Sequence, residues 1–532
     1  MGSLLFHTGT AFALCLMIGP MAHAQPSLPV LAIPEPIPAP PMTVLLPVPQ
    51  DRIESAIVSL DDLGQEMLER SGIPGLAIGV VQNGDIVYMR GFGVRTAGQP
   101  TPVDPNTVFL LASLSKAVGA TVVAQQVGEG RVDWTSPVRD FLPWFDMGDA
   151  WVSDHVTIGD LYAHRSGLPD HAGDDLEDIG YDRRAVLQRL GLLPQHAFRA
   201  HYAYTNFGLT VAAEAVATAV GIDWADLSEN VLYGPLGMTS TSSRHADFMA
   251  RENRASSHII TDGHYVETDL RQPDAQSPAG GVSSSVRDMS RWMAMVLNDG
   301  TIDGLQVVPA EALRPALSPQ MISRAPMATS ARTSSYGYGF NVGVRPSGRV
   351  ELSHSGAFAL GAATSFTMIP DLGLGIVVLT NAPPTGAAEA ISASFADRVE
   401  LGQDSRDWLS GYAPLMAALT APVGSLVGVP APTTPEMPRP NAAYVGTYEN
   451  EYFGATTVEE VNGRLVLRLG PDQHTLTLTH WDKDSFVAHP VTENQPEGSV
   501  SRVDFASIDR IATTVRIEHL DHEGLGRFER LD

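Results

Sequence analysis

Ser113 and Lys116, three residues apart in LLASLSKAVG, are the first pair in this sequence whose types and spacing suggest chemistry. The chain has one other lysine, Lys483, and otherwise draws its positive charge from arginine. A lysine amine can shed its proton when desolvated, whereas a guanidinium stays charged. If Ser113 opens a helix, Lys116 falls one turn later on the same face, close enough for the two side chains to meet. A serine hydroxyl is a poor nucleophile until a base takes its proton, and the positive end of a helix dipole would steady the alkoxide. A solvated lysine beside an ordinary serine explains an isolated S-x-x-K at least as well, so its company decides.

Two further groups supply that company. Tyr204 and Asn206 stand in HYAYTNFGLT, just ahead of a helical run. His354, Ser355 and Gly356 stand in ELSHSGAF, at the end of a strand-like run. A phenol near an amine can share its proton and return it to a leaving group as general acid. Asn206 can donate to a substrate carbonyl or orient the lysine, and His354 can polarise Tyr204 or anchor substrate. Gly356 lets backbone come close to a ligand. The N–H groups of Ser113 and Ala357 would form an oxyanion hole. Taken singly, Tyr204 reads first as a core tyrosine and His354 as a structural histidine.

The elements that must position these groups are legible in outline. An amphipathic helical stretch covers Asp51 to Glu69, followed by two β-rich runs joined across Asn83-Gly84, a hairpin signal. Helical character runs from Ser113 and returns in LTVAAEAVATAV and VRDMSRWMAMVLNDG. The strand-like runs YGYGFNV, RVELSHSG, ATSFTMIP and GLGIVVLTN come late. Strands at both ends with helices between them predict an α+β domain on an antiparallel sheet.

Composition narrows the class. The 532 residues, 44% hydrophobic, suit one large domain plus a small one. A formal charge of −26 argues against nucleic acid or anionic membrane surfaces as partners. The first 24 residues, ending Ala22-His23-Ala24, read as a secretory signal despite the lack of an early lysine or arginine, which predicts a periplasmic or secreted protein with no stable membrane insertion. Cys15, the one cysteine, lies within that segment, so disulfides, Cys-based zinc sites and thiol nucleophiles drop out of the mature protein. Residues 25–50 form a proline-rich tether, and residues 421–441 a proline-rich linker. His164 and His171 flank SGLP without metal-ligand spacing, so structural roles are expected of them. No cofactor is called for, and the missing G-x-S-x-G elbow speaks against an α/β-hydrolase.

In this order, S-x-x-K, Y-x-N and H-x-G resemble the serine β-lactamase and penicillin-binding-protein family, most of all its class C branch, the S12 serine peptidases. The likeness runs from about Asp51 to Thr420 and includes AHRSGLPDH at 163–171, YGPLGMTST at 233–241 and SPAGGVSSSVRDMSRW at 277–292. The resemblance implies a β-lactamase/transpeptidase-like domain over residues 51–420, an antiparallel sheet flanked by helices with an all-helical region. It also implies Ser113 as acylated nucleophile, Lys116 as its base and Tyr204 as proton relay. Asn206, His354, Ser355, Gly356 and Ala357 would line the substrate site.

Where β-lactamases and carboxypeptidases of this family carry lysine, this chain has His354, and a neutral imidazole binds a substrate carboxylate poorly. The resemblance therefore favours a D-aminopeptidase-like or other small-peptide peptidase, members that cleave linearised microcystin among them. An esterase, a β-lactamase or D-Ala-D-Ala carboxypeptidase, and a non-enzymatic penicillin-binding sensor stay open, and so does the oligomeric state. Residues 442–532 alternate apolar and polar residues between turn signals, as in a small antiparallel barrel, and resemble the lipocalin-like module of some S12 peptidases. Such a module either walls off one side of the cleft or stands apart as a stabilising appendage.

Overall fold

The computed structural model describes residues 47–531; the expected signal, Cys15 and most of the tether lie outside them. Helices α1 (Gln50–Val58) and α2 (Leu60–Ser71) lead into strands β1 (Gly75–Gln82) and β2 (Asp85–Gly93). The expected single helix is broken at Ser59, whose hydroxyl donates back to the Ala56 carbonyl at 2.7 Å, a local bond that competes with the helical ladder. Asn83 and Gly84 join β1 to β2 with φ of 53° and 87°, the two left-handed residues that a tight hairpin turn needs.

Three helices carry or brace the candidate residues: α3 (Leu114–Gly128), α4 (Asn206–Val220) and α5 (Val286–Leu297). The sheet is then completed by β3 (Met321–Arg324), β4 (Ser334–Tyr336), β5 (Asn341–Val344), β6 (Val350–Phe358), β7 (Ala362–Ile369) and β8 (Leu374–Thr380). Helix α6 (Ala387–Leu401) follows. Its eight strands run in the order β2-β1-β8-β7-β6-β5-β4-β3. Every pairing is antiparallel, and early β1 docks on late β8 with Leu76 opposite Thr380.

The continuous apolar runs of β1 and β8 are buried along their whole length because both sheet faces are covered. Leu76, Ile78 and Val80 pack with Ile376, Ile391 and Phe395 toward α1, α2 and α6. Alternate residues such as Ala77, Val377 and Leu379 join Met289, Trp292 and Met293 of α5. This is the two-residue strand period spent on two cores. Strand β6 pairs with β5 only up to Ser353, so from His354 onward its outer edge is open toward α3.

The carboxy-terminal part is a second antiparallel sheet, built from β9 (Gly446–Asn450), β10 (Gly454–Val461), β11 (Arg464–Leu469), β12 (His474–Thr477), β13 (Thr479–Asp482), β14 (Ser485–Ala488), β15 (Ser501–Ile508), β16 (Ile511–Ile517) and β17 (Arg527–Arg530). Its nine strands run β12-β11-β10-β9-β17-β16-β15-β14-β13. Only Leu478 separates the two end strands in sequence, so the edges meet and the sheet is a nearly closed barrel.

Candidate active site

Ser113 stands at the amino end of α3, directly after Ala112, a buried residue held at φ 48°. A non-glycine residue in the left-handed region costs on the order of 1–3 kcal/mol and persists only where its surroundings over-determine it. They do so here. Leu111 N–H donates to the Val282 carbonyl at 2.8 Å, Val282 N–H to Ser115 Oγ at 3.0 Å, and Thr364 Oγ1 to the Leu111 carbonyl at 2.7 Å.

Lys116 is fully buried. Its Nζ lies 2.7 Å from Asn206 Oδ1, 3.0 Å from the Ala279 carbonyl and 3.1 Å from Ser113 Oγ. The first two partners only accept. A neutral amine has two N–H bonds and one lone pair, so when those acceptors take both N–H groups the lone pair faces the serine hydroxyl. Burial lowers the amine's pKa to about 7, against a smaller opposing pull from the Asp174 charge. The group can therefore stand as a free base near neutrality and still accept a proton, as general-base work requires.

The Tyr204 phenol lies within hydrogen-bond reach of Ser113, and burial raises its pKa, which keeps it protonated. Lys116 Nζ sits 4.6 Å from the centre of its ring. The loop from His164 to His171 clamps this tyrosine. Ala203 N–H donates to the His164 carbonyl at 3.0 Å and His171 N–H to the Tyr204 carbonyl at 2.8 Å. Tyr204 N–H donates to Asp170 Oδ1 at 2.6 Å, and Thr205 N–H to His164 Nδ1 at 3.2 Å. The stretch at 163–171 thus works as a brace for the proton relay.

The remaining residues differ from expectation in detail. Asn206 is engaged at both ends, because its Nδ2 also donates to Asp174 Oδ2 at 2.9 Å. That sets it to orient the lysine, and its second Nδ2–H stays available to a substrate carbonyl. His354 is buried near Tyr204, ring centres 6.3 Å apart, yet both its nitrogens are committed elsewhere. Nδ1–H donates to the Ser355 carbonyl at 2.6 Å, so Nε2 accepts from Tyr336 Oη at 2.9 Å. Burial, helped by the Lys116 charge, lowers the His354 pKa to about 3, so the imidazole is neutral and polarises nothing by charge.

Ser355 was expected to line the substrate site with His354. Strand alternation instead turns its side chain to the other sheet face, where it meets Glu389 of α6 and borders a separate cavity of about 480 Å³. Gly356 lies against the nucleophile: a Cβ there would sit 2.9 Å from Ser113 N and collide with the Leu111 carbonyl. Ser113 N–H donates to no acceptor among the described residues, leaving it free for an oxyanion, and Ala357 follows on the open edge of β6.

Sequence reasoning missed Tyr336 and Asp174, and took His164 and His171 only as structural. Tyr336 lies in the strand-like YGYG run without any local sign of a catalytic neighbour, and it reaches His354 only because β4 and β6 flank β5. His171 and Asp174 do form an H-x-x-D pair, Nδ1 to Oδ2 at 2.9 Å, a weak signal on its own. Among the described residues no group of three or more His, Cys, Asp or Glu side chains is arranged to hold a metal ion.

With this geometry in view, comparison with known proteins gives a direct result. The family model described as Beta-lactamase matches residues 60–398. The chain belongs to the beta-lactamase family. A second model, a domain of unknown function (DUF3471), matches residues 430–527. Among curated relatives of this beta-lactamase-family chain is an unguisins hydrolase from Aspergillus violaceofuscus, 26% identical over 80% of this chain and 81% of that protein. Another is penicillin-binding protein 4 from Amycolatopsis lactamdurans, 27% identical over 71% of this chain and 94% of that one. The octameric penicillin-binding protein homologue from Pyrococcus abyssi shares the fold with a TM-score of 0.56 at 19% identity, covering 90% of this chain and 99% of that one. The family is one of beta-lactamase-fold hydrolases, which agrees with a serine and a base in hydrogen-bond contact.

The barrel of this beta-lactamase-family chain abuts the site. Its Glu493 accepts from Ala359 N–H at 2.7 Å and Leu360 N–H at 3.3 Å, in the turn directly after β6. Arg271, buried between Glu177 at 3.0 Å and Glu493 at 3.8 Å, stacks on Phe358 at 4.3 Å. Next to the 163–171 brace, a cavity of about 290 Å³ has Asp170, His171 and Asp174 on one wall and Tyr452, Phe453, Leu520 and His522 of the barrel on the other.

Proposed function

We propose that this protein is an exported serine peptidase of the S12, class C-like type that cleaves amide bonds in short peptides, including those with D- or non-standard residues, through an acyl-enzyme on Ser113. One observation carries the reading: a fully buried amine, its N–H groups taken by Asn206 and Ala279, stands 3.1 Å from the serine hydroxyl. Ser113 Oγ attacks the substrate carbonyl carbon as its proton passes to Lys116 Nζ. The N–H groups of Ser113 and Ala357 receive the oxyanion. As the C–N bond breaks, the leaving amine takes the proton from Lys116 by way of Tyr204, and water then hydrolyses the ester. One point supports peptides over β-lactams. His354 is neutral with both nitrogens engaged, so it supplies no fixed charge for a β-lactam carboxylate.

Side-by-side assays with p-nitroanilide peptides, p-nitrophenyl esters and a chromogenic cephalosporin test this. Turnover of the anilides with a transient Ser113 adduct in mass spectra is the expected result. Turnover of esters alone would make the protein an esterase, and a lasting adduct without turnover would make it a penicillin-binding sensor.

A further inference from the structure

Lys116 is the inner end of a polar chain that runs out into the cleft. Nζ bonds Asn206 Oδ1, Asn206 Nδ2 bonds Asp174 Oδ2, and the same carboxylate oxygen meets His171 Nδ1. A primary amide has one donating and one accepting end, and an ionised carboxylate only accepts. Asp174 therefore decides which end of Asn206 faces the lysine. Rotated, the amide would set N–H against N–H and turn the lone pair away from Ser113.

Asp174 has no simpler occupation. It opens the short helix Asp174–Asp178 without capping it. It is 5% exposed, and its Oδ1 has no hydrogen-bond partner among the described residues. Burying a carboxylate with one oxygen unmet is costly. His171, the cleft-side partner, has a side chain 62% exposed and holds φ at 57°.

We propose that Asp174 is a positioning residue for the base: it holds the Asn206 amide with its carbonyl end on Lys116, and its charge, balanced by His171, sets how readily the amine releases its proton. The inference rests on the reading of Lys116 as base. The groups facing the amine are Ser113 just ahead of its own helix, Tyr204 ahead of α4 and Asn206 at its start, the Ala279 carbonyl, His354 of β6, His164 and His171 of the bracing loop, and Asp174 of the short helix after it. Burial holds His164 and His354 neutral, and Asp174 is the carboxylate that acts on the amine.

The lysine content makes a direct test possible. Lysine labelled with 13C and 15N at its terminal amine gives two side-chain signals, from Lys116 and Lys483, and Lys483→Arg leaves the first alone. In full-length protein we expect Asp174→Asn, which keeps an acceptor for Asn206 but removes the charge, to lower the Lys116 titration midpoint by half a pH unit or more. The acid limb of kcat/KM should move down with it. His171→Asn, acceptable because asparagine tolerates the left-handed backbone, should raise the midpoint by leaving the carboxylate less balanced. Asp174→Ala, which frees the amide, should cut kcat about tenfold or more with KM little changed. Midpoints unmoved by Asp174→Asn and His171→Asn, or moved in the same direction, would overturn the inference whatever the protein hydrolyses. Opposite shifts in a protein that turns over none of the substrates would instead refute the functional reading and leave the positioning role standing.

Discussion

The two lysines of this chain occupy opposite environments. Lys116 is fully buried at the first turn of α3, touches only neutral acceptors, and has its pKa pressed down to about 7. Lys483 sits at the tip of the β13–β14 hairpin with φ 52°, its side chain 62% exposed, and pairs with Glu436 at 3.1 Å, which raises its pKa. One residue type thus gives up its proton readily in one place and holds it in the other. Desolvation against solvation, and neutral acceptors against a carboxylate, make the difference.

The largest expected effect that could break this contrast is Lys116→Arg. A guanidinium cannot take the serine proton, so kcat/KM should fall by about 10³-fold or more, with thermal unfolding still cooperative. Activity within tenfold of wild type would remove the lysine from the mechanism. Gly356→Ala comes next, because the added methyl presses on the Ser113 amide and the Leu111 carbonyl. Loss of one oxyanion donor costs about 10²–10³-fold in kcat, and acylation should slow by that order while peptide binding persists. An unaffected acylation rate would mean that the strand can retreat from the nucleophile.

The pH profile sharpens the contrast further. Lys116 acts as base only when unprotonated, and its pKa is lowered to about 7. The sign is therefore fixed: kcat/KM rises about tenfold per pH unit below that value and levels off above it. A limb near the ordinary lysine range would place the amine in water. Smallest of all should be Lys483→Ala, which removes a solvent-exposed pair worth little. Rates and melting temperature should match wild type, and a lost rate would tie the hairpin tip to the cleft.

Much of the frame was legible in sequence because it depends on local period and turn chemistry. Asn83-Gly84 marked its hairpin, the alternating tail marked the barrel strands, and strand-like runs at both ends of the domain marked the antiparallel sheet. The break at Ser59 was not legible, because it depends on a hydroxyl choosing its own backbone and on Arg398 Nη1 reaching it at 2.9 Å from a helix far along the chain. Tyr336 escaped for a similar reason. Its tie to His354 exists only because β5 sets the two strands one apart, and no spacing along the chain encodes that.

The division lies in the range over which each force acts. By itself the sequence determined the S-x-x-K spacing, the Y-x-N and H-x-G groups and the helix start at Ser113, since one turn of helix and two-residue strand alternation need only neighbouring residues. Tertiary structure decided everything about protons: that Lys116 is dry, that Asn206 shows it the carbonyl end, and that His354 is neutral. Desolvation is a property of what surrounds a group, and those surroundings come from segments that the chain keeps far apart until it folds.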